Sequence, residues 1–165
     1  MPSADLVLEG GGMKGIGLGG AVGALMRAGY AFERVAGTSA GAIVGALLAA
    51  GIEEPALSGA MMRLRYARVP DRGPPWVPLL SEGVSLLRSG GAYEGDYLHG
   101  FVRDELQRLG VRTFADLRRS DDGDDPNLSA QRRYRLVVTA TDVTRGRLLR
   151  LPWDYGALGL KADEQ

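Results

Sequence analysis

Short apolar runs alternate with segments of helical spacing along the first part of the chain. Leu6-Val7-Leu8 predicts a strand, and Ile16 to Arg27 then predicts a helix packed through small residues. In a second unit, Arg34-Val35-Ala36 predicts a short buried strand and Ala42 to Ala50 predicts a buried helix. Two strand-and-helix units in about 50 residues indicate a parallel sheet with helices on its faces.

The pattern continues less densely towards the C-terminus. Glu53 to Tyr66 and Asp96 to Leu109 predict two further helices, because their apolar residues recur at helical spacing. Tyr134 to Ala140 predicts another buried strand, and Leu148 to Leu151 predicts its partner. The chain has no internal repeat and no obvious domain boundary, so residues 1–165 are expected to form a single α/β domain.

Two segments lack any regular pattern. Val69 to Pro78 is interrupted by prolines, which block both helix and sheet hydrogen bonds, and this predicts a long loop. Ser120 to Gln131 is acidic, polar and rich in turn residues, and it predicts an exposed connection.

The composition narrows the possible chemistry. With 45% hydrophobic residues, 24% charged residues and zero formal net charge, the chain is typical of a soluble globular domain, and nucleic acid is not an expected partner. The absence of cysteine excludes disulfides, thiol nucleophiles and thiolate metal sites. His99 is the only histidine, which excludes a histidine-cluster metal site. We therefore expect neither a metal nor another cofactor.

The sequence favours a cytoplasmic location, at most peripheral to a membrane. The first residues contain no basic stretch ahead of an apolar core, so a secretory signal is not expected. Val35 to Ile52 carries no charge and is about as long as the shortest transmembrane helix. It is rich in glycine and alanine and contains Gly37-Thr38-Ser39, which favours a turn, so we do not expect it to span a membrane.

A G-x-S-x-G motif, Gly37-Thr38-Ser39-Ala40-Gly41, lies between the second predicted strand and its helix. A sharp turn there would strain the serine backbone, and it requires small residues two positions before and after the serine. Such a turn would place the Ser39 hydroxyl at a helix N-terminus, where the dipole favours developing negative charge. The motif predicts that Ser39 is a nucleophile; the alternative is that Ser39 only caps the helix.

A glycine-rich loop, Gly10-Gly11-Gly12-Met13-Lys14-Gly15, follows the first predicted strand. Successive glycines allow backbone N–H groups to converge on an anion. The loop also matches the G-x-G-x-x-G dinucleotide motif, but that motif needs an acidic residue at the end of the second strand, where this chain has Ser39. We therefore favour an oxyanion hole formed by Gly10, Gly11, Gly12, Met13, Lys14 and Gly15. A nucleotide- or phosphate-binding loop and a plain flexible turn are the alternatives, and Lys14 either adds charge there or is simply solvated.

With these two motifs in this order, the chain resembles the patatin-like phospholipases. That family has a Gly-Gly-Gly-x-Arg/Lys-Gly loop and a Gly-x-Ser-x-Gly elbow on a three-layer α/β/α fold, and it hydrolyses acyl esters with a Ser-Asp dyad. The resemblance continues more loosely through Tyr93-Glu94-Gly95-Asp96, Thr141-Asp142 and Leu151-Pro152-Trp153-Asp154-Tyr155. It implies a serine acyl hydrolase that acts on lipid esters, including phospholipids, at a membrane surface. Since such a dyad needs no imidazole, His99 is not expected to be the base.

The aspartate of that dyad is not apparent in the sequence. In the family it stands in an Asp-Gly-Gly or Asp-Gly-Ala tripeptide after a buried strand, and this chain has neither. Asp122-Gly123-Asp124 is the nearest imitation, but it lies in the acidic connection and is interpreted as a solvated turn. Asp142 and Asp154 lie near predicted strand ends, yet they match segments that precede the dyad aspartate in relatives. We expect no carboxylate within hydrogen-bond reach of Ser39.

The resemblance therefore predicts a fragment, truncated before the strand that carries the base. We expect little esterase turnover from these residues alone, and hydrolysis that is lost in Ser39→Ala from a chain extended through that strand. The apolar residues in and after the proline-rich loop, Trp76, Val77, Leu79 and Leu80, are expected to insert at an interface, to form a lid or to make a core contact. A catalytically inactive fragment that binds lipid or a partner is the remaining alternative.

Overall fold

A four-stranded sheet forms the centre of the described chain. The computed structural model describes residues 2–12, 15–65, 95–119, 129 and 133–163. The strands lie in the order β1 (Ser3–Leu8), β2 (Ala31–Thr38), β3 (Leu136–Asp142) and β4 (Arg147–Leu151). β1, β2 and β3 run parallel, whereas β4 pairs with β3 in an antiparallel hairpin. The predicted α/β class with a mostly parallel sheet is confirmed.

Within the described ranges, four α-helices connect and cover the strands, with ends that differ by a few residues from those predicted. They are α1 (Gly15–Arg27), α2 (Ala40–Ala49), α3 (Glu54–Arg63) and α4 (Asp96–Arg108). The part of the chain that the structure describes also contains two short 3₁₀ helices, Phe114–Leu117 and Tyr155–Leu158, which were not apparent in the sequence pattern. Tyr66, the prolines and apolar residues of the long loop, and Asp122-Gly123-Asp124 lie outside the described residues.

The helix α2 is the centre of the core. It contains no charged residue, and Val44 and Leu47 are fully or almost fully buried between β2 and the surrounding helices. A helix that is apolar on all sides must be enclosed, because no face of it can be left in water without exposing apolar surface. In the described part of the chain no helix is long and apolar enough to cross a membrane.

The described helices pack against one face of the sheet. A buried cluster joins Leu8 of β1 and Val35 of β2 to Val22 of α1 and Leu57 of α3. Side chains next to each other along a strand point to opposite faces of the sheet. Val7, on the opposite face, is 81% exposed. Within the described residues we therefore find two layers, one of helices and one of sheet.

A buried carboxylate fixes α4 against α3. The Glu105 side chain is 7% exposed, and it accepts hydrogen bonds at 3.0–3.2 Å from the guanidinium of Arg63. Arg108, one turn further along α4, donates to the same carboxylate at 2.7 Å. Both arginines are more than half exposed, so the ion pairs anchor the buried charge from the solvent side.

Candidate active site

The link between β2 and α2 consists of a single residue, Ser39. Gly37 and Thr38 belong to the strand, whereas Ala40 and Gly41 already belong to the helix, so the turn is tighter than the five-residue turn predicted. Ser39 has φ 53° and ψ −121°, and it is the one non-glycine residue in the described ranges with positive φ. Such a conformation costs about 1–3 kcal/mol and persists only where surrounding contacts enforce it.

The two glycines of the motif make this turn possible. A Cβ on Gly37 would lie 2.6 Å from the carbonyl carbon of Gly41 and 2.7 Å from Cα of Ala42. A Cβ on Gly41 would lie 2.6 Å from the carbonyl oxygen of Glu9. All of these neighbours are backbone atoms, so the first turn of α2 packs directly against the ends of β1 and β2.

The Ser39 hydroxyl is accessible and is not used as a helix cap. Ser39 is exposed, and its side chain makes no capping hydrogen bond to α2, although its carbonyl oxygen accepts from the Ala42 N–H at 2.9 Å. Ser39 occupies the N-cap position of α2, but side-chain capping does not account for a serine at this position. The first turn of α2 carries no acidic residue, which leaves the positive end of the helix dipole beside the hydroxyl.

The start of the glycine-rich loop lies next to Ser39. A Cβ on Gly10 would lie 3.1 Å from Cβ of Ser39 and 3.8 Å from its hydroxyl oxygen. Gly12 has φ 53°, a conformation that favours glycine, and Gly15 is the first residue of α1. Met13 and Lys14 lie outside the described residues. The structure thus brings together the two motifs that the sequence singled out, at the carboxyl ends of β1 and β2.

A hydroxyl pair, which the sequence pattern did not predict, joins β2 to β3 beside the turn. Thr38 and Thr139 are partners in the β2–β3 register, and their hydroxyl oxygens lie 2.7 Å apart. Thr38 directly precedes Ser39, so this hydrogen bond holds the end of β2 against β3 where the backbone is strained.

Two described aspartates near strand ends, Asp142 and Asp154, form ion pairs with arginines. Asp142 accepts from the Arg145 side chain at 3.0 Å and from the Arg145 backbone N–H at 3.1 Å, and these hydrogen bonds lower the pKa of Asp142. Asp154 accepts from the Arg150 side chain at 2.9 Å and from its backbone at 2.7 Å, which likewise lowers its pKa. A carboxylate with a lowered pKa is a weaker base.

Within the ranges that the structure describes, no hydrogen bond joins Ser39 to a carboxylate. Asp122 lies outside those ranges. His99 lies on an exposed face of α4, where it lines a cleft between α4 and the segment that follows it.

We predict that Ser39→Gly stabilises the protein by about 1 kcal/mol. Glycine adopts positive φ without steric cost, so the substitution releases backbone strain of about 1–3 kcal/mol. This gain exceeds the free-energy cost of the extra conformational entropy that glycine gives the unfolded chain. Ser39→Ala keeps a Cβ in the same conformation and is the matched control. Urea unfolding of the two variants measures the difference, and equal stabilities would show that the turn stores no strain.

Comparison with known proteins establishes the family. The model of the family described as patatin-like phospholipase matches residues 6–156. The chain therefore belongs to the patatin-like phospholipase family. It is also similar to the uncharacterized protein YqhO of Bacillus subtilis, with 34% identity over 160 residues, which is 96% of this chain and 50% of that relative. The chain thus spans about half the length of this curated relative.

Solved structures agree with this fold. The crystal structure of the type III effector protein ExoU has a TM-score of 0.54 and 25% identity, and the match covers 91% of this chain and 35% of that one. Full-length ExoU from the type III secretion system of Pseudomonas aeruginosa, solved in complex with full-length SpcU, has a TM-score of 0.55 and 23% identity, covering 90% and 34%. The patatin-like α/β fold expected from the two motifs is confirmed.

Proposed function

We propose that the chain carries the nucleophile and the oxyanion-binding loop of a serine acyl hydrolase that cleaves lipid acyl esters. The observation that carries this proposal is the conformation of Ser39. Its backbone is strained, and its side chain is exposed beside Gly10 and makes no capping hydrogen bond to α2. A serine that served only to join a strand to a helix would gain nothing from this strain, because glycine would fill the position at lower cost.

The geometry supports a two-step acyl transfer. A base removes the proton of the Ser39 hydroxyl while its oxygen attacks the ester carbonyl carbon, and the carbonyl electrons move onto the oxygen. The tetrahedral intermediate then expels the alcohol, which takes up that proton, and leaves an acyl group on Ser39. Water attacks this acyl-enzyme in the second step, releasing the fatty acid and restoring the hydroxyl.

Backbone N–H groups would stabilise the oxyanion in both steps. In serine hydrolases with such a turn, one donor is the N–H of the residue after the nucleophile, here Ala40, and the other comes from a nearby loop. We propose that the second donor comes from the glycine-rich loop, and the nearness of Gly10 supports this: a Cβ on Gly10 would lie 3.8 Å from the Ser39 hydroxyl oxygen. Each donor is worth about 3 kcal/mol of the barrier.

The general base is proposed to be an aspartate outside the described residues. Asp142 and Asp154 are engaged by arginines, and a serine hydroxyl without a base is a poor nucleophile at neutral pH. We accordingly propose that these residues alone react slowly with esters. Lipid esters presented at a membrane surface are the proposed substrates of the whole protein, by analogy with the family.

The nucleophile assignment is tested by reaction with a fluorophosphonate, followed by mass spectrometry of the peptides. We expect a single modified residue, Ser39, at a rate at least about tenfold above that of the urea-unfolded chain, because the loop and the helix dipole stabilise the anionic transition state. Ser39→Ala should not react, whereas Ser58→Ala should react as the unaltered chain does. Modification at another residue, or equal rates for the folded and the unfolded chain, would contradict the proposal.

A further inference from the structure

A cleft of about 230 Å³ lies between α4 and the segment from Val111 to Leu117, away from Ser39. Its floor is formed by three buried side chains, Val111, Leu117 and Leu136. Its walls are formed by half-buried apolar groups, Val102, Leu106 and Phe114. The interior of the cleft is therefore apolar from its floor to its mouth.

The mouth of the cleft is basic and polar. His99, Arg103 and Gln107 follow one another at intervals of four residues, so they form one exposed stripe along α4, and Arg112 lies across the opening. Among the residues that the structure describes, no carboxylate lines the cleft. This arrangement, with cationic groups at an exposed mouth over an apolar interior, is complementary to an anion that carries an alkyl chain.

Two carboxylates that are near in sequence to the arginines of this mouth, Asp116 and Asp104, form hydrogen bonds or ion pairs of their own. Asp116 accepts hydrogen bonds from the backbone N–H groups of Arg112 and Thr113, both at 2.8 Å. Asp104 pairs with Arg103 at 3.2 Å, but both side chains are more than half exposed. An exposed pair of this kind contributes little, so Arg103 can exchange it for a ligand anion.

The cleft is separate from the candidate active site. Leu136 at its floor pairs with Val35 in the β2–β3 register, and Ser39 lies four residues further along the chain from Val35. At a rise of about 3.3 Å per strand residue, the floor lies about 13 Å from Ser39, towards the amino ends of β2 and β3. A molecule in the cleft would therefore not occupy the position of the reacting ester.

We propose that this cleft binds a single-chain fatty acid, with the alkyl chain against Leu106 and Phe114 and the carboxylate at Arg103 and Arg112. Fatty acid is also the product of ester hydrolysis, so a role for the cleft in product binding or product regulation rests on the proposed function. The binding itself does not, because it uses no atom of Ser39 or of the glycine-rich loop.

The test is isothermal titration of the 165-residue chain with decanoate below its micelle concentration. We expect saturable binding at one site, with binding of the uncharged decanol at least about tenfold weaker because it cannot pair with the arginines. Arg103→Glu and Arg112→Glu should each weaken decanoate binding at least about tenfold. Arg145→Glu, which alters an exposed, ion-paired arginine on the β3–β4 hairpin, is the matched control and should leave the affinity unchanged.

A third variant examines the apolar wall. Val102→Glu places a carboxylate beside the proposed alkyl chain at a half-buried helix position, and it should abolish decanoate binding while circular dichroism shows an unchanged fold. Absence of saturable decanoate binding to the unaltered chain, or affinities that are the same in all of these variants, would overturn the inference.

The same titration with Ser39→Ala separates the two proposals. Decanoate binding should persist in this variant, because the cleft does not include Ser39. If decanoate binds but fluorophosphonate leaves Ser39 unmodified, the proposed function fails and the cleft assignment stands. If Ser39 reacts but decanoate does not bind, the cleft assignment alone fails.

Discussion

Gly41→Ala is expected to lower the free energy of unfolding by about 3 kcal/mol or more and to slow the fluorophosphonate reaction of Ser39 at least about a hundredfold. The new Cβ would lie 2.6 Å from the Glu9 carbonyl oxygen and 2.7 Å from the Leu8 carbonyl carbon. These are backbone atoms at the end of β1, which the ladder to β2 holds in place. They can move aside only by shifting the start of the glycine-rich loop away from Ser39.

Gly20→Ala is the matched control for this prediction. Gly20 lies in α1 with no atom within 4 Å of the position its Cβ would take. Alanine is favoured over glycine inside a helix, so this variant should be more stable by up to about 1 kcal/mol and should react normally. Urea unfolding followed by circular dichroism measures both variants. A Gly41→Ala protein within 1 kcal/mol of the unaltered chain would contradict the close packing described above.

The turn at Ser39 could be predicted because its requirements are local. Whether a serine fits between a strand and a helix depends on the residues two positions away, and these can be read directly from Gly37 and Gly41. The sequence could not show that Gly41 also packs against Glu9, or that Thr38 bonds to Thr139, since both contacts depend on strand order and register. The glycine pattern thus indicated the type of site but not the contacts that hold it in place.

The strand β2 is longer than the sequence pattern predicted, because a charged residue interrupts its apolar pattern. Only Arg34-Val35-Ala36 was predicted as strand, whereas β2 begins three residues earlier, at Ala31, and includes Glu33. Glu33 forms an ion pair at 3.1 Å with Arg119, a residue distant from it in sequence. The pattern of a single strand does not reveal a charge that is satisfied by its neighbour.

The cleft beside α4 could not be predicted from the sequence, because its lining residues come from separate segments of the chain. The helical spacing of apolar residues, Val102 and Leu106 among them, predicted a helix over Asp96 to Leu109. The opposite wall comes from the 3₁₀ helix at Phe114–Leu117, which has too few residues to show a period, and the floor comes from the start of β3. A cavity between elements distant in sequence depends on tertiary packing.

Arg63→Met is expected to lower the free energy of unfolding by about 2 kcal/mol. The carboxylate of Glu105 is 7% exposed and accepts three hydrogen bonds from Arg63, so this substitution removes most of the partners of a buried charge. Loss of one partner of a buried pair typically costs about 3–5 kcal/mol, and Arg108, at 2.7 Å, offsets part of that cost. Urea unfolding at neutral pH measures the change.

Two comparisons distinguish the buried charge from ordinary surface charge. Arg103→Met removes an exposed partner of an exposed carboxylate, Asp104, and should change stability by less than about 0.5 kcal/mol. The double variant Arg63→Met with Glu105→Met should be more stable than Arg63→Met alone, because no charge is then left buried without its partner. A double variant less stable than either single variant would contradict this explanation. The loss of unfolding free energy in Arg63→Met would then come from lost side-chain packing and not from the unpaired carboxylate of Glu105.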